Sequence, residues 1–486
     1  MKHYKISFST CIKWSFGIIW MLAQQCIPGC TKIVSIGPPK NSITTVQVFT
    51  DSADAAAAIA GIYSNTLYPP NGIGFCNGAE SVYCGMSADE LIPFFNSGDP
   101  AQFYANSLYS NNGSVYGYFW GNAYPYIYQA NASIEGLQAS NSLSESVKKQ
   151  FSGEAKFLRD LYYFYLVNLF GDVPYVTSSS WEKTSLSYRT STSEIYQKII
   201  AELKEVQGLL SDDYHFSNGL RTRANRWAAT ALLARVYLYT GDWASAETTA
   251  GSIIDQTALF QLAPNVDSIF SCNNSEAILQ WQLNTSFGNF TATPEGSLLV
   301  PPDQVSSPNY YMSDELLAAF DPLDLRKKSW IDSTTYSGIT YYTPNKYKIG
   351  VSQYVVSGTA TEYPTVLRLA EQYLVRAEAR AHEGKLNDAV DDINIIRTRA
   401  GLPNLPYFSD QNVVLDAVAK ERQIELFAEW GHRWFDLKRT GQIDAVMSVV
   451  TPQKIGGVSW NSYQQLYPIP RGEMYTDPNL VQNPGY

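Results

Sequence analysis

Two segments of this chain repeat one helix–turn–helix pattern, and that repeat constrains the fold more than any other feature. Residues 225–255 read NRWAATALLARVYLYTGDWASAETTAGSIID, and residues 368–402 read RLAEQYLVRAEARAHEGKLNDAVDDINIIRTRAGL. Each opens with a helix whose small and apolar residues recur every three to four positions. A glycine follows (Gly241, Gly384), with an alanine five residues on (Ala246, Ala389). Glycine permits the tight turn between helices, and alanine lets the second helix approach the first closely. This is the logic of tetratricopeptide-like repeats, whose units stack because none can bury its apolar face alone. A further helical stretch, residues 151–170, stops at Gly171-Asp172-Val173-Pro174, where proline cannot continue a helix. The fold class expected is mainly α, with helices over about 51–66, 116–255 and 366–450. Loop-rich regions cover about 67–115 and 256–365, the second a large insertion between the two repeats.

The N-terminus reads as an address. Lys2, Lys5 and Lys13 precede a ten-residue apolar stretch, residues 14–23, too short to span a bilayer and suited to a signal peptide. Ile27-Pro28-Gly29-Cys30 then resembles a bacterial lipobox, although proline is an unusual occupant. Residues 1–29 are read as a lipoprotein signal peptide and Cys30 as the lipidation site. Stable anchoring needs more than one acyl chain. Cys76 and Cys84 have a spacing that could close a small disulfide loop in an oxidising compartment, and Cys272 is left over. The chain carries a net charge of −10, and its basic N-terminus is removed with the signal, so nucleic acid is excluded as a partner.

No catalytic constellation stands out. The four histidines (3, 215, 382, 432) are dispersed, His382-Glu383 does not extend to H-E-x-x-H, and neither a P-loop nor G-x-S-x-G is present. No cofactor is expected. The densest charged stretch is KERQIELFAEWGHRWFDLKR, residues 420–439. Glu421, Glu425 and Glu429 fall on one helix face, and the reading is a structural ion-pair network made through arginines rather than a catalytic set.

That stretch also carries a family resemblance. E-R-x-x-E-L followed by G-H-R-W-F-D-L-K-R resembles a signature of the SusD-like (RagB/SusD) outer-membrane lipoproteins of Bacteroidetes. The ending YPIPRGEMYTDPNLVQNPGY (467–486) is similar to theirs, as are FLRDLYYFYLVNLFGDVP (157–174), residues 225–246, RLAEQYLVRAEA (368–379) and INIIRTRAGL (393–402). The resemblance implies residues 30–486 as a single SusD-like domain of four tetratricopeptide-like units with the loop-rich region mounted against them. It implies a non-enzyme anchored to the outer membrane and facing the cell exterior. Such a protein binds an oligomeric nutrient and delivers it to a SusC-like TonB-dependent transporter. In one respect the chain departs from the pattern: TKIVSIG after Cys30 holds no acidic residue, so surface exposure rests on the resemblance alone.

Composition bears on the ligand. With 34 Tyr, 21 Phe and 11 Trp but only 16% charged residues, the chain is rich in rings with polar tips, suited to stacking on sugars. The candidate ligand-binding residues are Tyr83, Asp89, Phe94, Phe95, Trp281, Asn309, Tyr310, Tyr311 and Trp330. Phe75, Tyr104, Phe287, Phe290, Tyr341 and Tyr342 stand in the same loops. An oligo- or polysaccharide is favoured over a peptide, the alternative within the family. A secreted glycoside hydrolase is the rival of another class, and a cytosolic repeat scaffold leaves the signal peptide unexplained.

Overall fold

The tetratricopeptide logic is realised where the sequence placed it. In this computed structural model, which describes residues 48–68, 73–283, 291–350 and 360–486, helices α1 (Ser52–Leu67), α2 (Gly121–Ala139), α3 (Glu145–Phe170), α4 (Thr192–Leu209), α5 (Arg226–Thr240) and α6 (Trp243–Ile254) come first. They are followed, beyond the insertion, by α7 (Leu369–His382), α8 (Leu386–Arg399), α9 (Gln411–Leu426) and α10 (His432–Arg439). The signal peptide, Cys30, Phe287 and Phe290 lie outside the described residues.

Gly241 ends α5 at φ +73° and Gly384 follows α7 at φ +77°. Each turn is closed by the same pair of backbone bonds: Gly241 and Asp242 donate to Leu238 and Tyr237, and Gly384 and Lys385 to Ala381 and Arg380. Ala246 and Ala389 are fully buried, as close helix approach demands. Helices α2 to α6 pack each on the next, and α6 then packs on α7. The two repeats, separated in sequence by the insertion, are therefore neighbours in space. At the neck of the insertion β4 (Ala277–Gln280) pairs antiparallel with β8 (Thr365–Arg368). The other strands are short antiparallel pairs: β1 (Leu91–Pro93) with β5 (Tyr310–Met312), β2 (Val173–Pro174) with β3 (Arg189–Thr190), and β6 (Ile331–Tyr336) with β7 (Ile339–Pro344).

Glu421 and Glu425 on α9, with Glu429 three residues beyond the helix end at Leu426 rather than on the same helix face, form the buried ion network that the sequence predicted. Arg326 reaches Glu421 at 2.6 Å and Glu425 at 2.8 Å, and Arg368 reaches Glu425 at 2.6 Å and Glu429 at 2.9 Å. Arg399 bonds Glu425 and lies 2.7 Å from Glu276. Lys346 donates to the Glu425 carbonyl at 2.8 Å and to the Glu429 carboxylate at 2.5 Å. Burial pushes the Glu425 carboxyl up, but Arg399, Arg368 and Arg326 together outweigh it and hold it well below the usual carboxylate range.

Two expectations are corrected. Residues 74–91 do not form open loops: they are almost wholly buried and include a π-helical turn, Glu80–Cys84. Gly, Asn and Ser hide helical texture there, because packing rather than propensity stabilises the turn. Cys76 and Cys84 are free and buried, not bridged: the Cys76 amide donates to the Glu80 carboxylate, and the Cys84 sulfur sits 3.6 Å from the Tyr467 hydroxyl. Among the described residues no helix is long and apolar enough to cross a membrane.

Removing one member of a buried ion network strands its partners. Arg326→Met should lower the unfolding free energy by about 3–5 kcal/mol in urea titrations, whereas Tyr407→Phe on the surface should change little. The pH profile should be a dome. Glu425 and Asp436 are held down by arginines, so their stabilisation is complete above about pH 5 and is lost as pH falls through the acid range. Burial lifts Glu80 and Glu90 to about 8, so their contribution is present in acid and is lost between about pH 5 and 8. Urea midpoints measured from pH 3 to 7, below the range in which the depressed Lys438 and Lys454 ammonium groups add stability as pH rises, should peak near about pH 5, and a midpoint still rising from pH 5 to 7 would contradict the protonated Glu80 and Glu90.

Candidate functional site

Strands β1 and β5 set Ile92 opposite Tyr311 and Pro93 opposite Tyr310. The Phe94 amide extends the ladder by donating to the Asn309 carbonyl at 3.0 Å. Because side chains alternate along a strand, Tyr310 and Tyr311 point to opposite faces. Tyr311 meets Tyr341 of β7 edge-on, with ring centroids 5.0 Å apart. Tyr310 turns towards Tyr83 and Tyr118; burial first and Tyr118 second push its hydroxyl up to about 12, against a hydrogen bond with Tyr83 that favours the ionised form.

Phe94 is the hub of an aromatic cluster. Its ring meets Phe95 at 4.9 Å, Tyr341 at 5.4 Å and Tyr336 at 5.6 Å, each nearly perpendicular. Edge-to-face contact is the favoured geometry for such rings, and here it leaves outer faces open to water. Phe95 is 68% exposed and Tyr336 40%. The hairpin that brings Tyr336 and Tyr341 here turns on Ser337-Gly338, both at positive φ (51° and 81°), the geometry of a two-residue β-hairpin turn. Ser333, Thr335, Thr340 and Tyr342 alternate with these two rings and so stand on the hairpin's other face, while Asn309 is exposed beside Phe94. The surface is an apolar platform with the neutral Asn309 amide at its margin.

The hairpin is held at both roots by the ion network. Arg326 lies just before β6 and Lys346 just after β7, and both are anchored on α9. A second brace comes from Lys454. Its buried ammonium donates to the carbonyls of Met86, Ser87 and Ala88 and to Asn106 Oδ1, all within 3.0 Å. The adjoining Ile455 carbonyl accepts from the Asn96 amide at 3.1 Å, tying down the segment that bears Phe95. Desolvation lowers the Lys454 pKa to about 7, and the charges of Asp89 and Glu315 offset it only in part.

Of the residues singled out from sequence, Phe94, Phe95, Asn309 and Tyr311 come together here, with Tyr341; Tyr310 and Tyr342 face the other way along their strands. Four others are corrected by their burial. Trp330 is completely buried, donates to the Val266 carbonyl and stands 4.6 Å below the Lys346 ammonium. Trp281 is 1% exposed, bonds the Cys76 carbonyl and packs on Tyr63. Tyr83 is sandwiched among Phe103, Phe119 and Tyr118. Asp89 receives Arg433 through two bonds of 2.7 and 2.6 Å, and its carbonyl takes the Ser313 hydroxyl, which positions β5. None of the four offers a face to a ligand. Sequence reading missed Tyr336 and Lys454. The Tyr-Ser-Gly-Ile hairpin signal could have revealed the first. Nothing local marks the second, since its acceptors lie some 350 residues away.

Among the described residues no group of three or more His, Cys, Asp or Glu is placed to hold a metal ion. Residues 325–486 match the SusD family model, and residues 43–238 match a model described as starch-binding and associating with the outer membrane. SusD-like protein P2 of Formosa agariphila is 26% identical over the full length of both chains. The starch-binding protein SusD of Bacteroides thetaiotaomicron is 26% identical over 72% of this chain and 75% of its own. Among solved structures, a laminarin-binding SusD-like protein superposes with a TM-score of 0.74 at 25% identity, covering 90% of this chain and 99% of that one. A SusD superfamily protein from Bacteroides vulgatus superposes at 0.76 with 19% identity, covering 90% and 100%. With two family models that between them cover most of its length, and the same mainly helical fold, the chain belongs to the SusD family.

Proposed function

We propose that this chain is a lipid-anchored outer-membrane protein that captures a neutral glycan on the Phe94 platform. It passes the glycan, uncleaved, to a SusC-like TonB-dependent transporter. The observation that carries this reading is the platform itself. Phe95 and Tyr336 present open ring faces on a rigid frame, flanked by the exposed Asn309 amide. Ring faces stack on the C–H faces of sugars, while neutral donors and acceptors serve the hydroxyls. Among the described residues no cation sits over these rings to select a carboxylate or sulfate. The family supports a glycan ligand, since a laminarin-binding protein and a starch-binding protein are among its members. Anchoring through Cys30 and delivery to the transporter rest on the N-terminal sequence and on that family membership.

The test is affinity electrophoresis on gels containing starch, laminarin or other neutral polysaccharides, with glycan length checked after incubation. Retardation by one class with unchanged chain length supports capture. Shortening of the glycan overturns the non-enzymatic reading, and retention by peptides alone moves the ligand to another chemistry.

Two sets of variants should separate contact from support. Phe95→Ala and Tyr336→Ala should each weaken binding about tenfold, the worth of one stacked ring, with little loss of stability. Trp181→Ala, which removes a ring 70% exposed on another segment, should leave affinity unchanged. Lys454→Met touches no ring yet should weaken binding and lower the urea midpoint together, because it strands buried carbonyls worth about 1–3 kcal/mol. Equal affinity in Lys454→Met and the unaltered protein would remove its positioning role.

A further inference from the structure

A cleft of about 480 Å³ separates the ends of α3 and α10 from the C-terminal segment. Three segments singled out in the sequence meet there: Gly171-Asp172, Lys438-Arg439 and Asn483-Pro484. Its charge is unusual for a chain of net charge −10. Elsewhere among the described residues, buried cations such as Arg235, Arg326, Arg368 and Arg422 each sit against a carboxylate. In this lining two cations do not.

Lys438 has no carboxylate within 4 Å among the described residues, and the one acceptor on its ammonium is the Asn168 carbonyl. The Phe435 ring is 5.9 Å away, at the limit of a useful cation–π contact. An ammonium carries three N–H donors, so two remain unused. Lys454 is the contrast: equally deprived of a carboxylate, it spends its donors on four acceptors. Arg189 likewise bonds only neutral groups, the carbonyls of Asp172, Val481 and Phe170 and the Asn483 amide oxygen. Arg439, also in the lining, is neutralised by Glu378 and Asp436. The one other carboxylate is that of Asp172. It is exposed at the lip and accepts from the Thr192 amide and hydroxyl. Lys438 and Arg189 against Asp172 leave a surplus of positive charge. Desolvation has pushed the Lys438 ammonium down to about 7, a cost that an anion beside it would offset.

We propose that this cleft binds a single oxyanion group, held by the two free N–H donors of Lys438 in the field of Arg189. The group is a phosphate, sulfate or carboxylate, either as a free ion or carried by an acidic sugar. The site is separate from the aromatic platform and does not depend on its function.

Isothermal titration of the purified chain tests it, with sodium phosphate and sodium glucuronate as probes and chloride holding ionic strength constant. Saturable one-to-one binding of phosphate alone identifies a free inorganic ion as the source. Binding of glucuronate as well identifies an acidic sugar unit. In Lys438→Met either affinity should fall at least about tenfold, while the urea midpoint rises or holds because an uncompensated charge is gone. Equal binding by Lys438→Met overturns the assignment. Should that variant fail to fold, titration of the unaltered protein still decides, and absence of saturable binding at millimolar concentrations overturns the proposal.

Discussion

Glu425 is the residue on which the rest of this architecture hangs. One carboxylate on α9 takes Arg326, Arg368 and Arg399, while its backbone carbonyl takes Lys346. These cations come from four places: the approach to the hairpin, its exit, the strand at the neck of the insertion, and the end of α8. A buried ion network of this kind adds little net free energy, because desolvating each charge costs about as much as pairing returns. Its consequence is geometric. Each of these charges meets its partners with the loop-rich segment in this pose against the repeats, and moving the segment would strand them.

That constraint lets the platform exist. Rings such as Phe95 and Tyr336, left 68% and 40% exposed, cannot organise themselves by burial, since they gain too little from it. Their order must be imposed from below. The hairpin supplies it through a turn that fits the strand twist, Arg326 and Lys346 fix its roots, and Lys454 with Asn96 fixes the facing segment. Trp330, buried beneath Lys346, belongs to this frame: it gives a desolvated ammonium a ring face where a water would otherwise be needed.

The helical scaffold was legible in the sequence because its signals are local. The 3.6-residue period, Gly241 and Gly384, and the small alanines each act within a turn or two of where they stand. The Glu421–Glu425–Glu429 stripe was legible as an ion network for the same reason, but its partners were not: Arg326 lies 95 residues before Glu421, and nothing local joins them. The platform was half legible. Loop aromatics in a weakly charged chain mark a pool of candidates, and Phe94, Phe95 and Tyr311 came from it. The same pool yielded Trp281 and Trp330, because whether a ring is capped or open depends on what packs over it. Tyr83 and Asp89 failed likewise, one enclosed through a π-helical turn and the other claimed by Arg433.

The residues that touch solvent on the platform and the residues that hold it are disjoint sets, and this division has a physical consequence. Changing a stacked ring alters what the surface fits without disturbing a buried charge, so its effect stays within the affinity for ligand. Changing Arg326, Glu425 or Lys346 leaves a buried charge uncompensated and is felt by the whole insertion. A frame built on charges that tolerate no exchange, carrying rings that tolerate many, can present a different surface without being refolded. In this chain the network fixes the insertion, and the open rings of Phe95 and Tyr336 are side chains that the network never touches.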